Sequence, residues 1–134
     1  MTQQLKDITD RQCTDTPASY DDLSVLMLNC TLTRSPNLSH TEGLLKVAEG
    51  IFQANGVSTE ILRPVDFELP AGLEQDYTGV DRYERDDWPQ IQAKIDACDI
   101  LIIGTSVWLG EKSSVCNRVL ERMYGYTHSF NDKG

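Results

Sequence analysis

Ile100-Leu101-Ile102-Ile103-Gly104-Thr105-Ser106-Val107-Trp108-Leu109-Gly110-Glu111-Lys112-Ser113-Ser114 reads as an apolar run, a turn rich in hydroxyls and glycine, and the start of a helix. The run from Ile100 to Ile103 has no polar alternation. That pattern belongs to a strand covered on both faces, as in a parallel sheet under helices. Gly104 ends it. Ser113 or Ser114 can cap the following helix, whose apolar positions Val115, Val119, Leu120 and Met123 keep helical spacing. Ligands of open α/β sheets bind just beyond the carboxyl ends of the strands. The segment Thr105 to Lys112 would sit there, with free backbone groups, two small hydroxyls and the ring of Trp108. The bland alternative is a loop that binds nothing and a tryptophan that only packs.

Upstream, Leu23 to Leu28 reads Leu-Ser-Val-Leu-Met-Leu, a nearly continuous apolar run and the expected central strand. The loop Asn29 to Thr41 follows, crowded with Thr31, Thr33, Ser35, Ser39 and Thr41, and carrying Arg34 and His40. Leu44, Leu45, Val47, Ala48, Ile51 and Phe52 then mark a helix with a broad apolar face, stopped at Asn55-Gly56. Val57 to Leu62 alternates, as an edge strand does. Residues 63–87 show no strong period and include the charged run Asp81 to Asp87, expected to be a solvated loop. Asp87-Trp88-Pro89 resembles a helix cap and first turn, and that helix runs to about Ala97. Cys98 to Gly104 is the third strand, a helix spans Ser114 to Tyr124, and a polar tail runs from Gly125 to Gly134. Residues 1–22 are polar and acidic and are expected to form a mobile extension, with a short helix over Leu5 to Arg11 as an option.

Length and charge bound the rest. A chain of 134 residues makes one domain. Twelve Lys and Arg against 21 Asp and Glu give a formal charge of −9, which disfavours binding to nucleic acid or anionic membranes. No apolar stretch has the length of a membrane span and the first residues lack a signal-peptide core, so a cytoplasmic location is expected. Cys13, Cys30, Cys98 and Cys116 form no C-x-x-C and are expected to be reduced packing residues.

The order β-α-β-α-β-α implies a doubly wound parallel sheet with right-handed crossovers. In the strand order 2-1-3 the two ligand-type loops lie side by side at the switch point and share one crevice. Hydroxyls and N–H groups at a helix start suit a phosphate, although hydroxyls can also do no more than cap turns. Neither G-x-x-x-x-G-K-S/T nor G-x-G-x-x-G occurs. A phosphate held without glycines at one loop, and a planar heterocycle at the other, together describe flavin mononucleotide (FMN).

Asn29-Cys30-Thr31-Leu32-Thr33-Arg34-Ser35-Pro36, with Ser39-His40-Thr41, resembles the phosphate loop of the flavodoxin-like NAD(P)H-dependent FMN reductases. Gly104 to Ser114 resembles that family's second flavin loop. The resemblance implies a flavodoxin-like, three-layer doubly wound sheet over residues 23–134. It implies that Thr31, Thr33, Arg34, Ser39 and Thr41 lie near the phosphate, and that Ser106, Val107, Trp108, Leu109 and Gly110 run along the ribityl chain and ring. His40 could hydrogen-bond the phosphate or stay a solvated cap neighbour. Ser106 stands where the family often has proline. The family continues with two further strands and a third flavin loop. The expectation is therefore an N-terminal portion whose third strand is an open edge, able to pair with a second copy. The implied chemistry is hydride transfer from NAD(P)H through FMN to a small-molecule acceptor such as a quinone or flavin. The alternatives are a flavodoxin-type electron carrier and a fragment that serves only as an interaction module.

Overall fold

Parallel pairing of three strands organises the chain in the computed structural model, which describes residues 3–14, 19–72 and 84–125. The expectations for residues 1–2, 15–18, 73–83 and 126–134 lie outside those described. The elements are α1 (Gln3–Thr14), β1 (Ser24–Cys30), α2 (His40–Ala54), β2 (Ser58–Leu62), a 3-10 turn (Pro64–Asp66), α3 (Trp88–Ala97), β3 (Ile100–Thr105), β4 (Val107–Trp108), β5 (Glu111–Lys112) and α4 (Ser114–Gly125). The sheet order is β2-β1-β3. Met27 stands between Ile61 on β2 and Ile102 on β3, and Cys30 is level with Thr105.

Alternation along β1 divides the core into two halves. Val25 and Met27 pack with Leu45 and Val57 on the face covered by α2. Leu26, Leu28 and Cys30 pack with Trp88, Ile91, Cys116 and Val119 on the face covered by α3 and α4. Every β1 residue after Ser24 is therefore buried. Each fully buried aliphatic side chain contributes roughly 1.5–3 kcal/mol. Gly104 lets α2 close on β3, because a Cβ there would meet the Leu45 side chain at 3.0 Å.

Four expectations are corrected. Residues 3–14 form a helix lying against α2, longer than the Leu5 to Arg11 option. The third strand is half-buried at all six positions rather than covered on both faces, because among the described residues only β1 pairs with it. An apolar run reports affinity for the core and not the number of neighbouring strands. The apolar face of α2 is narrower than its sequence suggests, with Leu44 75% and Ile51 37% exposed. Lastly, Asp86 and Asp87 of the charged run are structural, while Glu84 and Arg85 stay exposed as expected. Asp86 pairs with Arg122, a fully buried arginine whose guanidinium lies 6.0 Å from the Trp88 ring centroid. Asp86 also takes the helix-start N–H of Trp88 at 2.9 Å, the role expected of Asp87. Asp87 instead accepts Glu68 N–H at 2.8 Å and returns its own N–H to Glu68 O at 2.9 Å.

Candidate functional site

The order β2-β1-β3 brings the loop after β1 beside the segment after β3. The two touch where Thr41 Oγ1 and Ser106 Oγ stand 3.3 Å apart. A second tie lies beneath them. The hydroxyl of Ser113, 1% exposed, donates to Cys30 O at 2.7 Å and accepts Cys116 N–H at 3.0 Å. Ser113 N–H in turn donates to Thr105 Oγ1 at 3.1 Å. One serine thus caps α4 and joins the ends of β1 and β3.

The β1–α2 loop is held from inside and from the β2 side. Thr31, 6% exposed, accepts Thr33 N–H on its hydroxyl at 3.3 Å. Ser39 is the N-cap of α2: its hydroxyl accepts Glu42 N–H at 3.2 Å and lies within 3.4 Å of the buried Asn29 amide. From the β2 side, Arg63 Nη1 donates to Thr33 O and to Asn37 O, each at 3.0 Å. Arg63 Nη2 pairs with the Glu42 carboxylate. Asp66 accepts Ser35 N–H at 2.9 Å and the Ser35 hydroxyl at 2.6 Å.

These contacts set the local charges. The Arg63 guanidinium holds the Glu42 carboxyl below its usual range against a smaller desolvation effect, and Lys46 adds to it. For Asp66 desolvation pushes upward, but the two Ser35 hydrogen bonds with Arg63 and Arg34 together outweigh it, leaving the carboxyl lowered. Burial pushes the Cys30 thiol up to about 12, helped by the adjacent Cys116. Cys30, Cys98 and Cys116 are free thiols.

The segment after β3 has a different construction. Val107–Trp108 and Glu111–Lys112 pair as a two-stranded antiparallel ribbon closed by Leu109 and Gly110. Both turn residues have positive φ, 52° and 84°. That is the geometry of the mirror-image hairpin turns, which favour glycine. The ribbon stands in solvent: Val107 is 64%, Trp108 51% and Leu109 105% exposed.

The proposed site residues therefore fall into groups. Thr41 and Ser106 are brought together. Thr33 is half-buried, while Arg34 and His40 are exposed at the rim. Thr31 and Ser39 are buried with their hydroxyls already engaged. Val107 to Gly110 form an exposed tip. Sequence reasoning missed Arg63, Asp66 and the ribbon. A Leu-Gly pair between short apolar and charged dipeptides was the one available signal for the ribbon.

The donor set fits an FMN phosphate by its chemistry. It combines N–H groups in the first turn of α2, the hydroxyls of Thr33 and Thr41, and the Arg34 guanidinium. The half-exposed ring of Trp108 and the backbone from Ser106 to Gly110 fit a flat heterocycle beside it.

A parallel 2-1-3 sheet with helices on both faces and paired loops at one end is the flavodoxin-like fold. The chain belongs to the NADPH-dependent FMN reductase family, whose model matches residues 23–133. FMN is that family's cofactor and NAD(P)H its co-substrate. The chain is 34% identical, over 105 residues, to the 8-demethyl-8-aminoriboflavin-5'-phosphate synthase of Streptomyces davaonensis, covering 75% of this chain and 41% of that protein. The crystal structure of RosB with bound 8-demethyl-8-formylriboflavin-5'-phosphate superposes with a TM-score of 0.69 at 34% identity, covering 76% of this chain and 42% of that one. A Mycobacterium bovis protein named divalent metal cation transporter MntH is 38% identical over 118 residues, 88% of this chain and 17% of that protein. The chain spans less than half the length of the curated relatives it matches. Among the described residues no helix is long and apolar enough to cross a membrane.

Proposed function

We propose that this chain carries the phosphate loop and the first ring loop of an FMN-dependent oxidoreductase that takes hydride from NAD(P)H and passes electrons to a small-molecule acceptor such as a quinone or flavin. The observation that carries the reading is the contact of the two loops at Thr41 and Ser106, within a chain of the FMN reductase family. FMN, when bound, supplies the hydride and electron chemistry. The chain's residues supply binding and orientation. Arg34, Thr33, Thr41 and the first turn of α2 hold the phosphate, with His40 at its edge. Ser106 to Gly110 line the ribityl chain and ring, and Trp108 shields one side of the ring from water.

A second reading has its own support. A similar curated protein and a similar solved structure carry 5'-phosphorylated flavins in their names, the structure as a bound intermediate. On that reading the same two loops hold a flavin phosphate as substrate and not as cofactor.

Titration of the chain with FMN, followed by flavin fluorescence, tests the site. Saturable one-to-one quenching is expected, weakened about tenfold by Arg34→Ala or Trp108→Ala. Anaerobic NAD(P)H then separates the chemistries. Bleaching of the bound flavin, reversed by a quinone, supports the oxidoreductase. Oxidised flavin that NAD(P)H leaves untouched, but a one-electron donor reduces, supports an electron carrier. Absence of quenching would overturn the site assignment.

A further inference from the structure

We infer that Arg63, assisted by Asp66, is the positioning group that turns the β1–α2 loop into an anion receptor, and so sets discrimination between a phosphorylated and an unphosphorylated flavin. The inference rests on the phosphate-loop reading above and names residues outside it.

Arg63 follows directly on β2, whose last residue, Leu62, is in register with Leu28 of β1. Its Cα is therefore fixed by the sheet, beside the point where the β1–α2 loop departs. Its side chain is 9% exposed. One nitrogen, Nη1, holds the carbonyls of Thr33 and Asn37, four residues apart across the loop. The other pairs with Glu42. A planar guanidinium makes these contacts in one fixed fork, which an ammonium cannot reproduce.

The consequence follows from peptide geometry. In a trans peptide the C=O and the next N–H point in opposite directions. Turning the Thr33 and Asn37 carbonyls toward Arg63 turns the Arg34 and Leu38 N–H groups away from it. Arg63 follows β2, and β3 lies on the other side of β1. That is the side on which Thr41 meets Ser106. Carbonyl lone pairs that would repel a phosphate are withdrawn to the β2 side, and donors are presented on the other. Asp66 acts on Ser35 by taking both its N–H and its hydroxyl to the β2 side. Ser35 is thereby removed from the ligand set, although its sequence position suits a phosphate contact. Arg63 has a second effect. Glu42, in the first turn of α2, would repel a bound anion, and its pairing with Arg63 offsets that charge.

The test compares FMN with riboflavin, which shares the ring and ribityl chain but lacks the phosphate. The wild-type chain is expected to bind FMN more tightly. In Arg63→Met the FMN-to-riboflavin affinity ratio should fall about tenfold or more, with riboflavin affinity unchanged. Arg63→Lys keeps the charge beside Glu42 but loses the fork, and should recover only part of the ratio. Asp66→Asn, at an exposed position, should lower the ratio by about threefold and keeps the inference testable if Arg63→Met does not fold. A wild-type ratio near one would overturn the phosphate-loop reading itself. A clear wild-type preference for FMN, unchanged in Arg63→Met, or unchanged in Asp66→Asn where Arg63→Met does not fold, would overturn the role of Arg63 and leave that reading standing. An equal loss for both flavins would show that Arg63 supports the fold and not the phosphate.

Discussion

The loop after β1 and the ribbon after β3 face one another across the Thr41–Ser106 contact, yet they are built in contrasting ways. The first has almost no regular structure and is tightly tied. Arg63, Asp66, Asn29 and the Ser39 cap fix its backbone from below and from the β2 side. The second has regular pairing, and Leu109 at its turn stands fully in solvent. Anchoring by side chains and regular pairing are thus divided between the two regions. A phosphate needs donors at fixed positions, since charge-assisted hydrogen bonds are steep in distance and angle. A ring needs a surface, which the half-exposed Trp108 can provide.

The largest way to break the contrast is Ser113→Ala. It removes the Ser113 hydroxyl from beneath both regions and leaves Cys30 O and Cys116 N–H buried without that partner. Urea unfolding should show a loss of about 2–3 kcal/mol. A change below about 0.5 kcal/mol would mean that the two regions are anchored independently.

Acid should loosen the anchored loop through Glu42. Its folded-state pKa lies below the ordinary 4.5, chiefly through Arg63. The stability it contributes is complete above that value and is lost as pH falls through the lower folded value. Comparison of wild type with Glu42→Gln should show a stability difference at pH 6 that shrinks steadily below pH 4.5. A difference independent of pH would show that the ion pair contributes nothing specific to charge.

The smallest effect is expected at the ribbon. Leu109 has φ 52° and is fully exposed, so Leu109→Gly relieves backbone strain and sacrifices no core contact. A stabilisation of up to about 1 kcal/mol is expected in thermal unfolding, with the FMN-to-riboflavin ratio unchanged. A fall in that ratio would place the ribbon among the phosphate determinants and erase the distinction between the two regions.

The sequence made the frame legible. The apolar runs at Leu23 to Leu28 and Ile100 to Ile103 identify two adjacent strands, and the hydroxyl-rich loop announces itself by composition. The anchors were hidden for a physical reason. Arg63 binds main-chain carbonyls of residues 30 and 26 positions earlier, and a carbonyl has no residue identity to read. Ser113 was legible as a helix cap and Ser39 as a loop hydroxyl, but neither as a tie to Cys30 or Asn29, because such a tie depends on the sheet register. Arg122 carried no signal either. A charged residue in an amphipathic helix reads as a solvent-facing one until Asp86 is found beside it.

The reciprocal hydrogen bonds between Glu68 and Asp87 have a consequence for how the core is closed. They fasten the residue before Leu69 to the residue before Trp88. Leu69 and Trp88 belong to the same half of the core. One clamp therefore delivers two core residues from separate points of the sequence together, and loosening either end releases both.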